Sequence, residues 1–437
     1  IAESGFTYSP SELSDDYSRG HPPLFYLVAA VAFAAFGAAP AVGHLVVLPF
    51  TVLALVGTYL LGVRLWDRRV GAAAALLLGA TPLFMSMGNM MLPEMALTAA
   101  AVWGFLAIAH GRLGWAAAAG VFGVLLKETG LAAPAAVGVI VLYDAWERGE
   151  LRAAAPLRRS LVATIPLFAL CLFFVWQKLV VGYFIFPHHA DLLVERPFGI
   201  SNLFTVFPSL FAWHGRWVLV VAAILASWLG SSVLRVRLRL DVTTERWMPS
   251  RGALLVGFAA LVLLNALFFS KMFWLERYVL PAHPAVILAA TFLVVVGMEH
   301  LPVLAALPAA VGIAMGLANL WSDPGPDQEE LSFAYANVIA THREAFAAIE
   351  GDAPHVLTTW PMTVELENPY LGYVDEPIES TNVRYVAGEP EVTPSHVLIS
   401  SASSRADALR EIADAQGLSP VGRFRVGHAP SLELYAR

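Results

Sequence analysis

The sequence is poor in charge, poorer still in lysine, and almost without cysteine. Only 14% of its 437 residues are Asp, Glu, Lys or Arg, about half the share of an ordinary soluble domain. The single cysteine, Cys171, lies in an apolar run, which excludes an intrachain disulfide and a cysteine metal cluster. Positive charge is carried by 24 arginines and three lysines, Lys127, Lys178 and Lys271. What fills the space is apolar: 58% of residues belong to the hydrophobic set and the mean hydropathy is +0.65. A soluble enzyme, a disordered chain and a nucleic-acid binder all fit this composition poorly.

Charge is also unevenly placed. Residues 1–322 hold 20 Lys and Arg against 16 Asp and Glu, whereas 323–437 hold 7 against 18. A slightly basic apolar body followed by an acidic, polar one is the simplest reading. The chain starts at Ile1 in a polar stretch; no signal peptide is visible, and a further span upstream is expected.

Hydropathy marks ten candidate spans, near 42–63, 70–87, 92–109, 112–127, 130–147, 159–182, 216–234, 252–270, 278–297 and 301–320. The run 22–37 is opened by Pro22-Pro23 and closed near Gly37 and Pro40. It is short for a crossing and reads as an interfacial helix. With the polar start outside, the inner loops carry thirteen basic residues and the outer loops and span ends seven, the asymmetry of the positive-inside rule. Ten spans then return the acidic tail to the outside.

Three bodies follow: a first outer loop with an interfacial helix (1–41), a transmembrane domain (42–321) and an extracytoplasmic α/β domain (322–437). The expected fold class is a polytopic α-helical membrane protein with a small C-terminal α/β domain. In the tail, 331–349 and 405–415 read as helices, 355–359 and 396–400 as buried strands, and 422–426 with 432–435 as a hairpin. The tail shows no glycine-rich phosphate loop and no repeat.

Ionisable residues at the ends of apolar helices are costly and often functional. On this topology several gather at the outer face: Asp15, Asp16 and His21; Glu94, just after Pro93; Lys127-Glu128-Thr129-Gly130; His188-His189; and Lys271, Glu276, Arg277 and Tyr278. Each has a structural reading. Asp15 and Asp16 can belong to a solvated loop, Glu94 can sit in the first turn of a helix opposite the dipole, and Lys127 with Glu128 can be a snorkelling pair. Arg277 can pair with Glu276, and His188-His189 lacks a second ligand pair at helical spacing. A lysine kept where arginine is otherwise used suggests a compact charge for a phosphate oxygen.

The segments Gly20-His21-Pro22-Pro23-Leu24-Phe25-Tyr26, Leu92-Pro93-Glu94-Met95, Lys127-Glu128-Thr129-Gly130 and Arg277-Tyr278-Val279-Leu280-Pro281 occur in an order that resembles the GT-C membrane glycosyltransferases. The resemblance is to the branch holding the protein O-mannosyltransferases and the lipid A aminoarabinose transferase, and it covers roughly residues 1–300. It implies an inverting transfer from a polyprenyl-phosphate sugar to a protein, lipid or glycan acceptor at the outer face of a bacterial or archaeal cytoplasmic membrane. It implies a catalytic Asp in the first outer loop, for which Asp16 and Asp15 are the candidates here, although the family's Asp lies further before its His-Pro-Pro segment. Lys127 and Arg277, with Lys271 in reserve, would hold the donor phosphate. His21, Glu94, Glu128 and Tyr278 would contact substrate. No metal ligand set is assigned, and a divalent cation near Glu94 and Glu128 is left open. Two other readings share the membrane content: a transporter or flippase of lipid-linked intermediates, and an inactive scaffold with a partner-binding tail.

Overall fold

A computed structural model describes residues 20–187, 190, 200–231, 234, 247–272, 275–299, 301, 303, 306–321, 334–351, 353–383 and 393–437. The chain divides into two compact units, one of residues Ile1–Ala35 with His44–Leu320 and one of Phe36–Gly43 with Trp321–Arg437.

The first unit is helical. Its described elements are α1 (Leu24–Phe36), α2 (Pro40–Leu65), α3 (Arg68–Ala80), α4 (Pro82–Met87), α5 (Pro93–Ala109), α6 (Leu113–Leu126), α7 (Ala132–Glu147), α8 (Ala154–Ala163), α9 (Ile165–Val181), α10 (Ile200–Phe211), α11 (Arg216–Leu229), α12 (Arg251–Lys271), α13 (His283–Gly297) and α14 (Leu307–Trp321). Short 3₁₀ turns at Glu128–Leu131 and Glu276–Ala282 lead into α7 and α13.

Many of these helices are apolar all round, as lipid-facing helices are. Along α2, for example, Leu45, Leu48, Val52 and Val56 are exposed while Val46, Val47, Ala54 and Leu61 are buried. An exposed apolar face of that size in water would be an aggregation hazard; in a bilayer it meets its own kind of solvent.

Five stretches are long and apolar enough to cross a membrane: Pro40–Leu65, Glu128–Glu147, Ala154–Val181, Arg251–Lys271 and Glu276–Gly297. A sixth arises if Asn202–Phe211 and Arg216–Leu229 count as one bent span. The hydropathy reading gave ten. The difference lies in breaks that a sliding average does not see: the expected span 70–87 is split at Thr81-Pro82 into α3 and α4, and the next two fall on helices of only 17 and 14 residues. Helix α1 has 13 residues, about 20 Å of rise, short of a bilayer core of about 30 Å.

Close helix approach relies on small residues. Gly230 and Gly297 bring α11 onto α13: a Cβ built on Gly230 would lie 2.5 Å from the Gly297 carbonyl oxygen. At the end of α7, the buried Asp144 accepts from Arg148 Nε (2.8 Å), Trp247 Nε1 (2.8 Å) and Ser250 N (3.0 Å). Ser250 in turn caps α12, its Oγ accepting from Ala253 N, and donates to Glu147. This carboxylate is fully satisfied, and it fixes the segment before α12 to α7.

The second unit carries a five-stranded mixed sheet of order β2-β1-β3-β5-β4, from β1 (His355–Thr358), β2 (Glu379–Asn382), β3 (His396–Ser400), β4 (Ser419–Phe424) and β5 (Leu432–Ala436). Strand β1 runs parallel to β2 and β3, and β5 runs antiparallel to β3 and β4. The helices are α15 (Tyr335–Ala347), α16 (Met362–Glu367) and α17 (Ala406–Ala415). Val356, Leu398, Leu432 and Leu434 pack with Phe346 of α15 and Leu366 of α16, whereas Leu357, Val397 and Ile399 pack with Leu409 and Ala413 of α17. Both faces are therefore covered, the expected architecture of an α/β domain. Strand β2 and helix α16 were not foreseen from the sequence.

Candidate functional site

The first element of the site is a tight turn. Helix α6 ends at Leu126, Lys127 takes extended backbone, and Glu128–Leu131 forms the 3₁₀ turn into α7. Gly130 makes the reversal possible: a Cβ there would lie 2.4 Å from the Gly123 carbonyl oxygen of α6. Two adjacent ionisable side chains are thus held at the mouth of a helical hairpin, and each finds a partner distant in sequence.

Lys127 Nζ donates to Glu94 Oε1 at 2.9 Å, and both side chains are buried. Glu94 stands in the first turn of α5, where Pro93 occupies the helix start and no side-chain cap bond forms. Its other oxygen, Oε2, is buried and has no hydrogen-bond partner among the described residues. Glu128 Oε2 lies 2.8 Å from His21 Nδ1, in a pair that keeps some contact with solvent. The snorkelling pair expected between Lys127 and Glu128 is not what forms. Neighbours along the chain face different partners, Glu94 from α5 and His21 from the segment before α1.

Tyr278 closes the group. The ammonium of Lys127 sits 4.0 Å from the Tyr278 ring centroid and the guanidinium of Arg277 sits 5.4 Å from it. Phe269 of α12 stacks on the same ring at 5.7 Å. An ammonium has three N–H donors; one meets Glu94 and one face lies over the ring, so capacity remains for an anion.

Beside this lies a pair the sequence reading did not find. Arg216, at the start of α11 and buried, donates through Nη2 to the Ser209 carbonyl and lies 3.3 Å from Glu276 Oε1. Its Nε and Nη1 have no hydrogen-bond partner among the described residues. Glu276 thus has Arg216 as a partner, one the sequence did not suggest. The apolar setting of Arg216 and its place directly after a glycine were visible; its partner, 60 residues on, was not.

Of the expected site residues, His21, Glu94, Lys127, Glu128, Arg277 and Tyr278 come together. Lys271 lies in the last turn of α12, half-buried. Asp15, Asp16, His188 and His189 lie outside the described residues. Among the described residues no three His, Cys, Asp or Glu side chains converge as a metal-ligand group.

Neither a family model nor a curated protein matches the sequence. Two crystal structures share its fold across nearly the whole chain. ArnT from Cupriavidus metallidurans bound to undecaprenyl phosphate aligns over 95% of this chain and 88% of its own, with a TM-score of 0.60 at 15% identity. The same protein in the apo state aligns over 95% and 87%, with a TM-score of 0.55 at 15% identity. The chain is a multi-pass membrane protein with a small C-terminal sheet domain, and its fold is the one these two ArnT structures have.

Proposed function

We propose that this chain transfers a glycosyl group from a polyprenyl-phosphate sugar to a protein, lipid or glycan acceptor, at the extracytoplasmic face of a bacterial or archaeal membrane. The observation that carries the reading is the buried ammonium of Lys127, held between Glu94 and the Tyr278 ring with donor capacity to spare. The shared fold with a protein captured on undecaprenyl phosphate supports it, as does the excess of basic residues in the loops assigned to the inside.

In the proposed reaction the acceptor oxygen attacks the anomeric carbon on the face opposite the phosphate. The bond from that carbon to the phosphate oxygen breaks, the configuration inverts, and the acceptor proton passes to a carboxylate. Asp16 or Asp15 is assigned that base. The leaving polyprenyl phosphate gains negative charge, which Lys127 and Arg277 stabilise, with Lys271 as a further cation. His21, Glu128 and Glu94 orient these groups. The donor is already activated, so no nucleotide site is required.

The test is to incubate the full-length protein in detergent with radiolabelled polyprenyl-phosphate sugars and membrane acceptors. Consumption of one donor with release of polyprenyl phosphate supports transfer. Failure to consume any donor, with movement of the intact lipid across vesicles containing the protein, supports a transporter instead.

A further inference from the structure

A second apolar site lies away from the Lys127 turn. Helices α2, α5 and α6 enclose a groove of about 640 Å³ walled by Phe50, Trp103, Leu106 and Phe122. The Trp103 indole N–H is already donated to the Leu53 carbonyl at 3.0 Å, so it adds no spare polar group to the wall. At one end the groove meets His110 and Arg112, in the short link between α5 and α6. No carboxylate is found among its described lining residues. Burial, and next to it the charges of Arg64 and Arg112, hold the His110 imidazole below its ordinary pKa.

Glu94 and His110 stand at opposite ends of α5, sixteen residues apart, about 24 Å along the axis. That approaches the thickness of the hydrocarbon core. The basic mouth therefore belongs to the membrane face opposite Lys127.

We propose that this groove binds an anionic diacyl phospholipid, its phosphate at Arg112 and His110 and its acyl chain along the apolar wall. Charge complementarity identifies the occupant. A guanidinium donates to two phosphate oxygens in a planar two-point contact, and basic pockets between transmembrane helices select anionic headgroups. A zwitterionic lipid fits the wall but leaves the mouth unbalanced. Polyprenyl phosphate carries a similar anion, but the proposed reaction places its phosphate at the other face; the inference rests on that reading only in excluding it.

Lipid binding is measured without turnover, so its failure is distinguishable from failure of the transferase reading. The protein in mild detergent is equilibrated separately with phosphatidylglycerol, phosphatidylcholine and undecaprenyl phosphate, and bound lipid is counted by native mass spectrometry. Wild type is expected to retain phosphatidylglycerol over phosphatidylcholine by about tenfold, and Arg112→Glu to remove that preference. Ala118→Phe, which fills the groove from an exposed position on α6, is expected to remove retention while leaving the unfolding temperature unchanged. Equal retention of both phospholipids, unaltered retention in either variant, or displacement of phosphatidylglycerol by undecaprenyl phosphate overturns the proposal.

Discussion

Lys127 and Glu94, 33 residues apart in sequence, form a buried ion pair at 2.9 Å, and the second oxygen of Glu94 is left without a partner among the described residues. Removing one member of such a pair strands the other charge, at a cost of about 3–5 kcal/mol, whereas replacing both with neutral groups of similar size is often neutral. Lys127→Ala is therefore expected to lower the unfolding temperature in detergent markedly. Glu94→Gln with Lys127→Met is expected to restore it.

His21 and Glu128 keep some solvent contact, so their pairing contributes at most about 1 kcal/mol to stability. Its proposed role is to position the turn. His21→Ala is expected to leave the melting temperature nearly unchanged and to slow turnover about 10- to 100-fold, as misplacement of a neighbouring group does. A slow variant with a large loss of stability would instead mark the pair as structural.

Gly130→Ala places a methyl against the Gly123 backbone. Overpacking of this kind costs about 1–3 kcal/mol and shifts both Lys127 and Glu128. Reduced stability with loss of donor binding is expected, whereas Gly138→Ala, where a Cβ meets nothing within 4 Å, should be silent in both assays.

In the second unit, His396 is the first residue of β3 and is buried. That burial lowers its pKa below 6.5. The unfolded chain takes up the proton first as pH falls, so the stability His396 contributes is intact above about pH 6.5 and is lost below it. Amide-exchange protection of residues 396–400 in the whole chain, corrected for intrinsic rates, should fall as the pH drops below about 6.5. His396→Gln should flatten that dependence.

The legible part of this molecule was local. Pro93-Glu94 and Lys127-Glu128-Thr129-Gly130 announced charge at helix ends, and short apolar runs announced the buried strands β1 and β3. Pairings between distant segments were not legible: Glu94 with Lys127, His21 with Glu128 and Arg216 with Glu276 are set by packing of helices that all look alike in hydropathy. Strand β2, Glu-Ser-Thr-Asn, carries no apolar alternation because it lies at the sheet edge. Asp144 was not singled out in the sequence, and its partners Trp247 and Ser250 lie a hundred residues on.

The proposed orientation is checked with one thiol. Ser404 is exposed, and Cys171 is the only native cysteine. Ser404→Cys in a Cys171→Ser background should react with an impermeant maleimide in intact cells. Protection until lysis would place the sheet domain inside.

The most direct test is single-turnover release of polyprenyl phosphate by wild type and by the Glu94→Gln, Lys127→Met double variant. If Lys127 stabilises the leaving phosphate, the double variant unfolds like wild type yet releases the lipid about 100-fold more slowly. Release at the wild-type rate from the folded double variant would remove Lys127 from the reaction and reduce the pair to a structural one.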